Sequence, residues 1–175
     1  MTDEEVLPAV ALGIAVLTVS DTRGIESDTS GTYLTSAAEE AGHRVVQRDL
    51  VRDDVYAIRA VLSAWIADPA VNAVLITGGT GFAGRDSTPE AVAPLFDKQV
   101  EGFGEVFRAL SFDEIGSSTI QSRALAGFAN RTVVFCVPGS TGACRTAWEG
   151  LVRDQLDSRH RPCNFVGVLL PAGQA

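Results

Sequence analysis

Long apolar runs limit what this chain can fold into. They lack the alternation of apolar and polar residues that is typical of a half-exposed strand. Val10–Val19, Val71–Ile76 and Arg131–Val137 are almost wholly apolar, and Val45–Val51 is a shorter, more polar run. A strand that is apolar on both faces needs cover on both faces, as in a parallel sheet between layers of helices. The runs therefore predict four strands of one largely buried sheet.

The segments between these strands carry apolar residues at helical spacing, and several begin with residue types that cap helices. The expected helices are Gly31–Ala41 after a Ser30 cap, one that begins at an Asp53 cap, one led by Pro89, Val100–Leu110, Thr119–Phe128, and one from a Ser140 cap to about Leu156. Strands that alternate with helices imply an α/β fold with a mainly parallel sheet and helices on both of its faces.

Length and composition fit one folded domain. The chain has 175 residues, 46% of them hydrophobic, which suffices for a sizeable core and excludes a mainly disordered chain. We expect a single domain over 10–165, a flexible N-terminal tail over 1–9 and a C-terminal tail over 166–175. Cys136, Cys144 and Cys163 match neither a disulfide framework nor a zinc site, so we expect reduced, buried thiols.

The charge balance argues against nucleic acid as a partner. The 14 basic and 22 acidic residues give a formal charge of −8, which repels phosphate backbones. Met1–Glu5 is acidic where a secretory signal is basic, and the longest mostly apolar stretch, Val6–Val19, is too short to span a bilayer. We therefore expect a cytoplasmic protein with neither a nucleic-acid nor a membrane partner.

Polar loops follow the ends of the predicted strands. Polar residues lie just after each predicted strand, at Ser20-Asp21, Asp53-Asp54, Thr77–Gly81 and Pro138–Thr141. In open α/β sheets, ligands bind in the crevice beyond the carboxyl ends of the strands. The sequence therefore predicts that these four loops share one rim and form a binding site there.

The most informative of these loops is Thr77-Gly78-Gly79-Thr80-Gly81. Its glycines allow close backbone approach and allow N–H groups to turn inward, which suits a phosphate or another anion. It matches neither a Walker loop nor the dinucleotide-binding glycine motif. A tight strand-to-helix turn that needs positive φ explains the same residues.

Two carboxylates could hold a divalent metal at this rim. Asp86 lies just beyond the glycine loop, where Mg²⁺ could bridge a carboxylate and a phosphate, although a helix cap explains it equally well. Asp53 is well placed as an N-cap or as a second metal ligand, and Asp54 is its rival one residue later. The residue pattern alone leaves these alternatives open.

The other two loops add hydrogen-bonding groups. Ser20 and Asp21 could contact a ligand or merely begin a polar turn, and Gly139 and Ser140 precede a helix whose free N–H groups suit an anion. The combined rim favours a phosphate-bearing ligand together with a divalent metal ion.

Several motifs occur in the order typical of one known family. They are Leu17-Thr18-Val19-Ser20-Asp21, Thr77–Gly81, Arg85-Asp86-x-Thr88-Pro89-Glu90, Gly102-Phe103-Gly104-Glu105 and Pro138-Gly139. From about Val10 to Asn164, the chain resembles the molybdopterin adenylyltransferase family, and within it the MoaB branch.

The resemblance implies a three-layer α/β/α molybdopterin-binding fold, usually in a homotrimer. It also implies Mg²⁺-dependent transfer of AMP from ATP to the terminal phosphate of molybdopterin, with release of pyrophosphate. The product would then pass to the metal-insertion protein of the pathway. A non-catalytic molybdopterin-binding or carrier protein is the alternative.

By matching motifs, the resemblance assigns Asp86 as the catalytic, metal-linked aspartate and Asp53 as the second one. It assigns the glycine loop and Ser20 to substrate binding. Two positions depart from the adenylyltransferase pattern. That pattern commonly has a Pro-Gly-x-Pro turn, whose last proline is replaced by Thr141 in this chain. It also often has a proline before the second aspartate, where this chain has Arg52.

Overall fold

A six-stranded sheet forms the centre of the protein, as seen in a computed structural model that describes residues 8–170. Its strand order is β2-β1-β3-β6-β5-β4. The strands are β1 Gly13–Val19, β2 Arg44–Val51, β3 Ala73–Thr77, β4 Lys98–Gln99, β5 Leu125–Ala129 and β6 Thr132–Val137. Strands β2, β1, β3 and β6 are mutually parallel, whereas β5 is antiparallel to β6 and to β4.

Helices cover both faces of the sheet. They are α1 Thr29–Glu40, α2 Val55–Ala67, α3 Thr88–Val92, α4 Glu101–Ile115, α5 Thr141–Ala147, α6 Arg153–Leu156 and α7 Val166–Leu169. A π-helical turn over Trp148–Val152 joins α5 to α6, and 3-10 turns occupy Ile25–Ser27, Ala93–Leu95 and Gly116–Gln121. Among residues 8–170, no helix is long and apolar enough to cross a membrane.

Each face of the sheet has its own hydrophobic core. One core packs α1, α4, α5, α6 and α7 against the sheet, and the other packs α2 and α3. All seven residues of β1 and all five of β3 are buried, because the neighbouring helices exclude water from both sides. The expected α/β fold with a mainly parallel sheet and two covering layers is confirmed.

The helix expected over Thr119–Phe128 is wrong. Its first residues form a 3-10 turn, and Leu125–Ala129 is strand β5, joined to β6 by a two-residue turn. Asn130 and Arg131 have φ values of 46° and 67°, the left-handed conformation that fits such a hairpin turn. Pairing along β6 therefore overrides the helical spacing of the apolar residues. Helix α4, expected to end near Leu110, continues to Ile115.

The N-cap of α1 is Asp28 rather than Ser30. The Asp28 carboxylate accepts a hydrogen bond from Gly31 N–H at 2.9 Å and another from the Thr18 hydroxyl at 2.6 Å. Asp28 is only 2% exposed, so this cap ties the start of α1 to the end of β1 inside the protein. Helix α5 does begin with the expected cap, since the Ser140 hydroxyl accepts from Ala143 N–H.

The C-terminal segment differs from the expected tail where it is described. The expected N-terminal tail lies mostly outside the described residues, as do 171–175. The C-terminal tail was expected from residue 166, yet Val166 and Leu169 are buried in the core that contains α1 and α4. Cys163 is exposed, so the expectation of buried thiols holds only for Cys136 and Cys144.

Gly31→Ala tests how tightly this cap is packed. A Cβ at residue 31 would lie 2.1 Å from Asp28 Oδ2 and 2.6 Å from Thr18 Oγ1. We expect the free energy of unfolding, measured in urea, to fall by about 2 kcal/mol, because the added methyl group displaces a buried cap. Gly102→Ala in α4 is the control: no atom lies within 4 Å of its added Cβ. It should stabilise by about 0.5–1 kcal/mol, and equal effects of the two variants would contradict the packing argument.

Candidate active site

The loops after β1, β3 and β6 meet at one end of the sheet and enclose an open cleft of about 440 Å³. Eight of the residues that the sequence assigned to the site line it: Ser20, Thr77, Gly78, Gly79, Thr80, Gly81, Asp86 and Gly139. Asp21, Asp53 and Ser140 do not line it. The topology therefore brings the glycine loop, one of the two candidate carboxylates and two other strand ends together.

Close backbone packing draws these loops together. Gly78 has a φ of 103°, and a Cβ there would lie 2.1 Å from the carbonyl oxygen of Val19. Its N–H donates to Val137 O at 3.0 Å, and the Thr77 hydroxyl donates to Pro138 O at the same distance. Any side chain at residue 78 would force the ends of β1 and β3 apart.

The backbone N–H groups of the glycine loop are available to an anion. Gly78 and Gly79 are successive residues with positive φ, 103° and 67°. Within the described residues, the N–H groups of Gly79, Thr80 and Gly81 donate to no protein acceptor. Successive unpaired N–H groups on the wall of a cleft suit a phosphate group.

Asp86 supplies the carboxylate of the cleft. Its Oδ2 accepts a hydrogen bond from Ala83 N–H at 2.7 Å, while Oδ1 receives no donor from the described residues. Mg²⁺ is commonly held by one or two carboxylates together with substrate phosphates and water. The free Oδ1 beside the loop of unpaired N–H groups fits that pattern, and no cluster of three metal-binding side chains occurs among residues 8–170.

Asp53 and Asp54 have different structural roles. Asp54, not Asp53, is the N-cap of α2, and its Oδ1 accepts from Tyr56 N–H and Ala57 N–H. Asp53 is 9% exposed, and its Oδ1 accepts from both the N–H and the hydroxyl of Ser87. A Cβ added to Gly79 would lie 2.7 Å from Asp53 Oδ2. Asp53 therefore packs against Gly79 and supports the glycine loop from outside the cleft.

The two residues after β1 also differ. The Ser20 hydroxyl accepts from the N–H groups of Thr22 and Arg23 and lies on the cleft wall. Asp21 instead pairs with the Arg85 guanidinium, at 2.6 Å and 3.0 Å, and this hydrogen bonding lowers the pKa of the Asp21 carboxyl. The ion pair is exposed, so it contributes little stability.

Several cleft residues were missed by the sequence analysis. Arg23 lines the cleft and donates from Nη1 to Gly139 O at 2.9 Å. Ile115, the last residue of α4, also lines the cleft, as do Ser118, Gln121 and Ser122 in the segment that follows. The Ser122 hydroxyl is buried without a partner among the described residues. Gln121 and Ser122 were missed because they were expected to lie within the helix over Thr119–Phe128.

Comparisons with known proteins decide the family. The family described as "Probable molybdopterin binding domain" matches residues 15–158, which contain all four parallel strands except the first two residues of β1. The chain belongs to the MoaB/Mog family of molybdopterin-binding domains. The resemblance found in the motifs is thereby confirmed.

Relatives within the MoaB/Mog family cover nearly the whole chain. Molybdenum cofactor biosynthesis protein B of Escherichia coli K12 is 64% identical over 152 residues, 87% of this chain and 89% of that protein. The protein of the same name from Bacillus subtilis is 48% identical over 81% of this chain and 84% of its own length. A crystal structure of molybdenum cofactor biosynthesis protein B, 43% identical, superposes with a TM-score of 0.83 and covers 86% of this chain and 94% of that one.

Substitutions of Asp53 and Asp54 should distinguish the helix-capping role of Asp54 from the role of Asp53 beside the glycine loop. Asp54→Ser should leave the free energy of unfolding almost unchanged, since serine also caps helices, whereas Asp54→Ala should cost about 1 kcal/mol. Asp53→Ala should cost more, about 1–3 kcal/mol, because it leaves the Ser87 N–H and hydroxyl unpaired. Urea unfolding of the three variants measures this, and a larger loss for Asp54→Ala than for Asp53→Ala would contradict the assignment.

Proposed function

We propose that this chain acts in molybdenum cofactor biosynthesis and adenylylates molybdopterin. It would transfer AMP from ATP to the terminal phosphate of molybdopterin and release pyrophosphate. Membership of the MoaB/Mog family supports the pathway and the pterin ligand. The geometry of the cleft supports the phosphate chemistry.

One observation carries the proposal. The N–H groups of Gly79, Thr80 and Gly81 have no acceptor among the described residues, and they share a cleft with the free Oδ1 of Asp86. Unpaired backbone donors fit phosphate oxygens, and a free carboxylate oxygen fits a cation that accompanies phosphates. A purely structural turn requires neither feature.

The reaction demands orientation and charge stabilisation more than covalent chemistry. A phosphate oxygen of molybdopterin attacks the α-phosphorus of ATP, a new P–O bond forms, and the bond to the β-phosphate oxygen breaks as pyrophosphate leaves. Both reactants are anions, so the N–H groups of the glycine loop would hold the phosphates in line and stabilise the negative charge of the transition state. Arg23, which also lines the cleft, would add positive charge.

Asp86 is the residue that would hold the Mg²⁺ ion, through its free Oδ1. Bound Mg²⁺ supplies electrostatic shielding between the anionic reactants. Asp53, the second metal ligand expected from the family resemblance, has one oxygen bonded to Ser87 and does not line the cleft. We therefore propose that Asp53 acts through the glycine loop that it supports.

Assembly and product transfer are part of the same proposal. A homotrimer would cover the exposed apolar side chains of Phe112, Ile115 and Ile120, which are 58%, 55% and 72% exposed in the single chain. Light scattering of the purified protein measures the assembly. The adenylylated product would pass to the metal-insertion protein of the pathway.

A molybdopterin carrier without catalysis is the second candidate. The engagement of Asp53 with Ser87 favours it, because the cleft then holds one catalytic carboxylate rather than two. Incubation of the protein with ATP, Mg²⁺ and molybdopterin distinguishes the candidates. Release of pyrophosphate supports the transferase, and molybdopterin binding without release supports the carrier.

Asp86→Asn tests the role of the cleft carboxylate. We expect the rate of pyrophosphate release to fall by about 10²–10³-fold, a typical loss for one electrostatic stabiliser, while molybdopterin binding survives. Asp68→Asn is a matched control, since Asp68 also accepts one backbone N–H, from Ala70, but lies before β3, at the other end of the strand from the glycine loop. Turnover by Asp86→Asn at the rate of the control would contradict the assignment.

A further inference from the structure

Four successive carbonyl groups of the glycine loop are bonded to only two residues. Thr88 donates from its hydroxyl to Gly78 O at 2.8 Å and from its N–H to Gly79 O at 2.9 Å. Arg123 donates from its N–H to Thr80 O at 3.2 Å and from Nε to Gly81 O at 2.9 Å. Thr88 is fully buried at the start of α3, and Arg123 lies just before β5.

This arrangement fixes which way the N–H groups of the loop point. In a planar trans peptide, the C=O of one residue and the N–H of the next point in opposite directions. Carbonyls 78, 79 and 80 are held by Thr88 and Arg123, so the N–H groups of Gly79, Thr80 and Gly81 must point away from these two residues. Those are the three N–H groups that lack an acceptor among residues 8–170.

Arg123 also connects the loop to the cleft carboxylate. Its Nη2 donates to Asp86 O at 2.8 Å, and its Nη1 pairs with Glu90, whose carboxyl pKa is lowered by this bond. The guanidinium lies over the Phe82 ring, 5.1 Å from its centroid. One side chain therefore sets the loop backbone and the Asp86 backbone relative to each other.

We infer that Thr88 and Arg123 are positioning residues that orient the glycine-loop N–H groups toward a phosphate. They act through the loop backbone, because they bond to the carbonyl side of its peptides. The inference rests on the proposed function only for the chemistry of the ligand, a phosphate ester or a polyphosphate. The orientation itself follows from the hydrogen bonds.

Binding of inorganic pyrophosphate, measured by calorimetry, tests the Thr88 hydroxyl. Thr88→Val removes the donor to Gly78 O and keeps the shape of the side chain, so we expect binding about fivefold to tenfold weaker. Thr88→Ser keeps the hydroxyl and should bind as the wild type does. Thr132→Val is the matched control: Thr132 is also buried and donates to a backbone carbonyl, Val71 O, but at the start of β6, at the other end of that strand from the cleft. It should leave binding unchanged.

A second pair of variants tests Arg123 independently of the buried threonine. Arg123→Gln removes most of its side-chain bonds to the loop and to Asp86, and we expect pyrophosphate binding about tenfold weaker. Arg59→Gln is the control, because Arg59 also donates to two backbone carbonyls, Glu90 O and Ala91 O, but none in the loop. Thermal unfolding of each variant establishes that it is folded under the conditions of the titration.

The outcomes separate this inference from the proposed reaction. Weaker binding by Thr88→Val and Arg123→Gln, with normal binding by Thr88→Ser and both controls, supports the inference even if wild-type protein releases no pyrophosphate from ATP. Wild-type affinity in Thr88→Val and Arg123→Gln overturns it, as does equal weakening in the controls. Failure of the wild-type protein to bind pyrophosphate also overturns it.

Discussion

The contact of Gly78 with the carbonyl oxygen of Val19 is the constraint on which the site depends. The ends of β1 and β3 approach so closely there that a Cβ would lie 2.1 Å from the carbonyl oxygen. With the two strand ends in contact, the loop after β6 can also reach them, and the Thr77 hydroxyl bonds to Pro138 O. The cleft and the glycine loop that lines it form around this contact.

An acidic chain can present an anion-binding site because charge is distributed locally. The formal charge is −8, yet the described residues that line the cleft bring together the unpaired N–H groups of the glycine loop and Arg23, beside a single carboxylate, Asp86. The Arg23 guanidinium donates to the carbonyl oxygen of Gly139, whereas the Arg123 guanidinium is paired with Glu90 and does not line the cleft. A bond to a carbonyl oxygen fixes the Arg23 guanidinium in place without neutralising it as a carboxylate would, so its positive charge remains available to a phosphate.

Asp53 and Asp54 show why neighbouring residues of one type could not be assigned from their order alone. Both precede a helix, and either could cap it. The structure gives the cap to Asp54, while Asp53 turns inward to Ser87, 34 residues further along the chain. That partner is brought there by the crossover from β3 into α3, which the local sequence around Asp53 does not encode.

The sequence by itself determined the strands of the parallel sheet, the glycine loop at the end of β3 and the Ser140 cap, because each depends on short-range patterns of hydrophobicity, capping and backbone freedom. Only the tertiary structure decided that Leu125–Ala129 is a strand, that Asp28 rather than Ser30 caps α1, and that Arg123 holds the glycine loop. Each of these depends on a partner supplied by another part of the fold: β6 for the strand, Thr18 for the buried cap and the loop carbonyls for Arg123. Local sequence specifies which contacts a residue is able to make, and the topology of the sheet selects which of them it does make.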